Sequence, residues 1–311
     1  MTQPLTDAIE ALTTYANSVT GASDQTLSEA VATLTSGYGG GGGSDSLKSV
    51  LDRTATNINL PSNLTSIGKY AFYSCVNLAL TSLPNDITSI DDYAFYACPS
   101  LALTSLPSGV TNIGTYAFNG CSNLALTSLP SGITKINNST FYGCTNLALT
   151  SLPSGVTSIE QNAFYGCRNL ALTSLPNGVT SIGQNAFYDC RGLEEMTLPS
   201  SVTSFSSNVF YSCKNLKFVD IPSSVNSIGT YTFAYCNSLL ELVLRKTSGV
   251  CTLSNSNAFN DTPMRGFNNL TGTVYVPSAL ISAYQTATNW KTFFNNGTVI
   301  FEAIEGSKYE L

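Results

Sequence analysis

Cysteine, tyrosine and carboxylate are the side chains in this sequence whose spacing could support chemistry. Eight of the nine cysteines, Cys75 to Cys236, fall one every 23 residues. A zinc motif wants its ligands in pairs about two to four residues apart, so this spacing does not make one. Thiols on neighbouring copies could approach bonding distance, but a bridge at every other step would pull a regular stack out of register. The column therefore reads as small, buried, apolar thiols, with Cys251 outside the series and unassigned. Asp91-Asp92 and Glu194-Glu195 are the adjacent carboxylates of the repeated region. Consecutive strand residues face opposite sides, so neither pair can share a proton or flank a glycosidic bond; both are read as solvated. There is no histidine anywhere. That removes Ser-His-Asp and Cys-His catalysis and histidine metal ligation. An enzyme would have to be built on carboxylate, Lys, Tyr or Cys alone, and its form would be a carboxylate-based glycan hydrolase.

Tyrosine makes the other regular pattern. Tyr73, Tyr96, Tyr142, Tyr165, Tyr188 and Tyr211 each follow a phenylalanine, and Tyr70, Tyr93, Tyr116 and Tyr231 stand three places before that column. If the phenylalanine points inward, its neighbour points at least partly outward. A row of exposed rings could stack on sugars or on a protein partner; alternatively the rings cover the edge of the fold with their hydroxyls in water. Glu195, Lys217 and Asp220, with Glu241, are the polar residues of the later copies' strand face. They make that end the more polar part of a binding surface. No cofactor is implied.

What positions these residues is one line written eight times. Pro61, Pro84, Pro107, Pro130, Pro153, Pro176, Pro199 and Pro222 mark it at a step of 23, as do the phenylalanines Phe72 to Phe233. A fixed period of this size means a solenoid, a propeller or an array. Each copy has an apolar residue before Pro, one three places after it, another three further on, then Phe, Cys and Leu. Stacked turns join such columns into a ladder core. Before each Pro lies a strand that changes midway. Leu193-Glu-Glu-Met-Thr-Leu-Pro199 alternates as a half-buried strand should, whereas earlier copies carry Thr81, Thr104, Thr127, Thr150 and Thr173 at the inward place. Leu80, Leu103, Leu126, Leu149 and Leu172 sit one residue off. Either these leucines turn inward through a bulge, or they form an exposed apolar stripe that marks a partner site.

The ends differ from the array. Residues 1–38 read as two short amphipathic helices, the second with the capping-box spacing Thr26-Leu-Ser-Glu29. Neither is long enough to stand alone in water, so residues 1–38 are expected to attach or oligomerise the chain. Residues 39–44 are a Gly-rich linker; Ser44-Asp45-Ser46 does not supply the Lys-Ser/Thr that a phosphate loop needs. Residues 45–277 form the solenoid with its N-terminal cap, the copies fading over 240–277, where Ala258-Phe259 comes three residues late. Residues 278–311 are the C-terminal cap, with a helix over 278–290 and a last strand at Val299-Ile-Phe301.

The formal charge of −6 and the absence of a Lys/Arg cluster argue against nucleic acid. No stretch approaches the ~18 consecutive apolar residues of a membrane helix, and the N-terminus has no signal-peptide pattern. The motif Ile182-Gly-Gln-Asn-Ala-Phe-Tyr-Asp-Cys190-Arg-Gly-Leu193 resembles the BspA-like class of bacterial leucine-rich repeats, over about residues 60–260. That resemblance implies a β-rich solenoid of 23-residue leucine-rich repeats; residues 1–38 are not part of it, and the short helices there and in the C-terminal cap are read from the residues themselves. It implies a non-enzymatic adhesion or recognition role on bacterial surfaces, with a protein or glycan ligand. The N-terminal 38 residues and the glycine run look like attachment segments of some phage tail and baseplate proteins. A virion or a bacterial cell surface is then the expected setting, and a homo-oligomer through residues 1–38 the expected assembly. A structural spacer is the alternative.

Overall fold

A computed structural model describes residues 53–56, 58, 60, 62 and 64–310. The expected helices of residues 1–38, the glycine linker and most of the N-terminal cap lie outside the described residues. The chain divides into two compact units, one running up to Ile133 with Asn137–Leu147, the other made of Thr134–Ile136 and everything from Ala148 onward. Both are built from the same rung.

The rung follows from which residues can be dried. Ile, Val, Leu, Phe and Cys at the repeating positions are buried in both units, most of them completely. Each buried aliphatic or aromatic side chain contributes ~1.5–3 kcal/mol relative to exposure. In the first unit Phe72, Phe95, Phe118 and Phe141 stack with centroids 5.2, 5.5 and 5.8 Å apart. In the second, Phe164, Phe187, Phe210, Phe233 and Phe259 continue at 5.5, 5.4, 5.6 and 5.6 Å. Phe259, three residues late in sequence, thus keeps its place in the column. The backbone follows the rings: the Phe95 amide donates to the Ala117 carbonyl and the Phe187 amide to the Val209 carbonyl, at 2.8 and 2.9 Å.

Buried backbone needs partners, and the cysteines supply part of them. The thiol of Cys121 donates to the Phe95 carbonyl at 3.0 Å, and Cys190 to Phe164 and Cys213 to Phe187 at 3.0 and 3.1 Å. All nine cysteines are buried free thiols.

Among the described residues every strand pairing is parallel. The Ile column gives two-residue strands: β1 (Ser66–Ile67), β2 (Ser89–Ile90) and β3 (Asn112–Ile113) form one ladder, and β4 (Lys135–Ile136), β5 (Ser158–Ile159) and β6 (Ser181–Ile182) another. The second ladder stops where Phe205 replaces Ile. That ring turns edge-on to Phe210 and Phe233, and pairing resumes only between β9 (Ser227–Ile228) and β11 (Thr252–Leu253).

The pre-proline segment is a regular strand in late copies alone. β7 (Glu195–Thr197), β8 (Phe218–Ile221), β10 (Glu241–Leu244), β12 (Gly272–Val276) and β13 (Val299–Ala303) make a five-stranded sheet in the order β13-β12-β10-β8-β7. In an early copy Leu170, Leu172 and Leu175 are buried while Thr173 and Ser174 are exposed. In a late copy Leu193, Met196 and Leu198 are buried, and Glu194 and Glu195 are exposed. Both place two consecutive residues outward, one bulge in two positions. The Leu80 column is buried, at most 6% exposed, so the inward reading holds and the exposed stripe is ruled out. Glu194 and Glu195 do not face opposite sides as expected; the bulge turns both outward.

At the C-terminal end the expected helix over 278–290 is broken. A 3-10 turn (Ser278–Leu280) leads into α1 (Ile281–Thr286), the chain turns at Asn289 with φ 70°, and Trp290 starts α2 (Trp290–Asn295). The break lets Trp290 donate from its indole to the Cys251 carbonyl at 2.8 Å while the Cys251 amide donates to the Tyr284 hydroxyl at 2.8 Å. The otherwise unassigned Cys251 is thus the backbone anchor of the cap. No helix among the described residues is long and apolar enough to cross a membrane.

Candidate recognition surfaces

The tyrosine edge rests on an unusual backbone. In each rung the residue of the Tyr70 column adopts a left-handed conformation. It is tyrosine at Tyr70, Tyr93, Tyr116 and Tyr231 (φ 59°, 56°, 58° and 56°), asparagine at Asn162, Asn185 and Asn208 (φ 55°, 57° and 59°) and serine at Ser139 (φ 50°). This conformation costs an ordinary L-residue ~1–2 kcal/mol, and asparagine tolerates it. The asparagines bond along the column, Asn185 donating to Asn162 at 2.9 Å and Asn208 to Asn185 at 3.1 Å. Tyrosine therefore occupies a place that asparagine fills with less strain.

In the first unit two tyrosine columns meet. Tyr70, Tyr93 and Tyr116 stack at 4.9 and 4.8 Å, and Tyr73 and Tyr96 at 4.8 Å. Contacts of 5.7 Å join the columns, edge-on at Tyr70–Tyr73 and tilted at Tyr93–Tyr96. The Lys69 ammonium lies 5.2 Å from the Tyr70 centroid and the Arg53 guanidinium 5.0 Å from that of Tyr73. All five rings are half-buried, as is Tyr142. Burial, with Tyr116 and Tyr70 close by, raises the Tyr93 phenol above its ordinary range. Faces inside the stacks are taken by neighbouring rings, so the patch offers edges and hydroxyls.

In the second unit Tyr165, Tyr188 and Tyr211 stack at 4.4 and 4.5 Å, with Tyr235 tilted 5.0 Å beyond. Burial raises the Tyr188 phenol, and the adjoining phenols of Tyr165 and Tyr211 raise it further. Beside this column sits an unexpected charge cluster: Arg168 and Arg191 both bond Asp189, at 3.0 and 2.7 Å. Arg168, Arg191 and Lys214 fall at one repeat position in successive copies. A search for contiguous basic runs cannot see that column; reading the sequence at its own period does.

The polar residues expected on the late strand face all belong to the five-stranded sheet or its margin. Glu195 is exposed on β7, in register with Phe218 and, beyond it, Glu241. Lys217 is exposed and bonds Glu194 at 2.7 Å; that bond holds the Glu194 carboxyl below its ordinary range. Asp220 is gripped by Arg245 through bonds of 2.8, 3.0 and 2.8 Å. Arg245 stands one step of 23 after Pro222, where the proline column ends, so a column of prolines gave no pointer to a cation there. Among the described residues no group of three or more His, Cys, Asp or Glu could hold a metal ion.

Parallel rungs, a ladder core and outward-facing columns define a leucine-rich-repeat solenoid. The family model for the BspA type leucine rich repeat region matches residues 51–171 and 157–279, in six copies. The chain belongs to that family. Among solved structures, it is similar to a leucine rich cell surface protein from Faecalibacterium prausnitzii, at 23% identity over 82% of this chain and 80% of that one, with a TM-score of 0.43. A leucine-rich-repeat protein from T. pallidum matches at 26% identity over 69% and 86%, with a TM-score of 0.41. The pneumococcal vaccine antigen PcpA matches at 18% over 80% and 68%, with a TM-score of 0.40. No curated protein matches the sequence.

Proposed function

We propose that this chain is a non-enzymatic recognition module that holds a protein or glycan through the tyrosine edge of its solenoid. The observation that carries the reading is the patch of Tyr70, Tyr73, Tyr93, Tyr96 and Tyr116. Three of its members sit in a left-handed conformation that asparagine fills elsewhere in the same column. Backbone strain retained at a surface position points to use. Stacked phenols with free edges suit a partner that supplies hydroxyls, amides or apolar edges, because tyrosine joins apolar area to a polar tip at low entropy cost. Tyr142 in the first unit, and Tyr165, Tyr188 and Tyr211 in the second, present further rings of the same kind. Glu195, Lys217 and Asp220 contribute the polar strand face. Residues 1–38, on their glycine tether, attach or oligomerise the array on a bacterial surface or a phage particle, and several copies on one assembly would raise avidity without new contacts.

A glycan array and a panel of bacterial surface extracts, probed with the full chain and with Tyr70→Asn/Tyr93→Asn/Tyr116→Asn, test this. Ligands bound by the full chain, at least tenfold weaker for the triple variant and released unchanged, are the expected outcome. Equal binding by both chains removes the tyrosine patch from the reading. Release of reducing ends from a bound glycan replaces it with the hydrolase.

A further inference from the structure

The sheet of the second unit carries something on its outward face. Phe218 and Tyr275 project outward from β8 and β12, and β10 runs between them. On β10 the outward-facing Val243 has no exposed surface at all. What covers the face is the chain's own tail. After β13 the backbone turns at Gly306, φ 77°, and returns over the sheet. Tyr309 stacks on Phe218 with centroids 4.9 Å apart and planes 9° from parallel, and meets Tyr275 edge-on at 4.8 Å. Its hydroxyl donates to Glu241, which also accepts from the Lys308 ammonium at 2.9 and 3.0 Å. Its carbonyl accepts from Arg245 at 3.1 Å. The other bonds of the tail are local or go elsewhere: Ser307 to Ile304, Gly306 to Glu310, and Glu305 to Ser278.

The arrangement has the parts of a peptide site. There is a slot for a ring between Phe218 and Tyr275, a carboxylate for a cation and a hydroxyl, and a guanidinium for a backbone carbonyl. Arg245 is itself fixed by Asp220, so that donor is in place before any segment arrives. Exposed Glu195 and Glu302 flank the slot in register with Phe218 and Tyr275, which favours a basic occupant. Of the described tail residues, Lys308 and Tyr309 alone engage the slot.

We propose that this sheet face is a binding site for an extended protein segment carrying Lys or Arg followed by Tyr, and that residues Lys308-Tyr309 are its resident pseudo-ligand. A partner segment of that chemistry displaces the tail. The tail competes at the high effective concentration of a short tether, so the site is closed until such a segment is supplied at high local concentration. This site is separate from the tyrosine edge and does not depend on it.

The test uses the full chain carrying Lys308→Ala/Tyr309→Ala, which empties the slot, and a fluorescent peptide of the sequence of residues 304–311. Anisotropy titration is expected to show saturable binding to the variant, at least tenfold weaker binding to the unaltered chain, and none when the peptide's own Lys and Tyr are replaced by Ala. Absence of saturable binding to a variant that still unfolds cooperatively overturns the proposal, as does equal binding to variant and unaltered chain. Should the variant not fold, amide exchange on the unaltered chain decides. Exchange of Gly306 and Tyr309 faster than that of the β10 amides supports a tail that opens by itself. Exchange of all of them at the global unfolding rate rules it out.

Discussion

At the scale of single residues, the two repeating side chains that first suggest chemistry have different fates. Burial pushes the Cys75 thiol up to about 11 and Cys251 up to about 12, with the nearby cations Arg53 and Lys246 opposing only in part. Burial is also the chief cause that raises the thiols of Cys98, Cys121, Cys190 and Cys213. The thiolate is the reactive species, so the native protein is expected to give no titratable thiol with Ellman's reagent at pH 8 and all nine after denaturation. Rapid reaction of even one cysteine in the native state would show a rung open to solvent. The tyrosines are outside and carry strain. In Tyr70→Asn/Tyr93→Asn/Tyr116→Asn, relief of ~1 kcal/mol per left-handed residue opposes the loss of two stacked pairs and of the ring contacts to Tyr73 and Tyr96, worth ~0.5–1.5 kcal/mol per pair. Urea unfolding is expected to show a loss of no more than about 4 kcal/mol, so binding is compared at a denaturant-free condition where both chains are folded. A much larger loss would make the patch structural. The tyrosine columns were plain in the sequence, but their conformation was not: tyrosine is a poor left-handed residue, and only the asparagines at the same position hint at it.

At the scale of elements, the unit of design is the position of the bulge. The sequence marked the change at Glu194-Glu195-Met196 but left open which way the Leu80 column faced, because a one-residue shift inverts every side chain of a strand. The structure resolves it with two outward residues in every copy, late or early. Leu172 is 1% exposed; Leu172→Glu puts an unpaired carboxylate in the core and should cost at least ~3 kcal/mol. Adding Thr173→Val supplies a buried side chain at the late-copy position and should recover most of that loss, as a double-mutant cycle in urea would show. If the second change does not help, the bulge is fixed by something other than these side chains. The tail over the sheet was not legible, since nothing periodic announces it, and the broken helix at Asn289 was missed because the apolar spacing runs through it. The tail is also pH-sensitive. Burial alone would raise the Glu241 carboxyl, but bonds from Tyr309 and Lys308 outweigh it and hold the group below 4.5. A depressed folded value means that the contribution is present above the unfolded pKa and lost as pH falls through the folded one. Amide exchange of Tyr309 should therefore accelerate relative to β10 below pH 4.5, and Glu241→Gln should abolish that dependence.

At the scale of the whole molecule, the repeat makes a further claim that the fold alone does not test. In a solenoid, stability approximates a sum of rung terms and nearest-neighbour interfaces, so whole rungs should be removable where half rungs are not. Deleting residues 153–175 joins Leu152 to Pro176 and leaves the Ile, Phe and Cys columns in phase, since the step is 23. The shortened chain should fold, with a smaller denaturant slope because less surface is exposed on unfolding, and with a lower midpoint because one rung and one interface are gone. Deleting residues 153–163 instead removes Val156 and Ile159 but keeps Phe164 and Cys167. The remaining half rung then has a ring to bury and no strand to hold it, and its backbone donors lose their partners at a cost of ~1–3 kcal/mol each. That chain is expected to lose cooperative unfolding. Equal tolerance of both deletions would mean that the rungs are not the independent units their spacing implies. Failure of the whole-rung deletion alone would mean that neighbouring copies are matched to each other by the residues in which they differ, such as Lys135 and Glu160, paired at 2.9 Å across one step of the ladder.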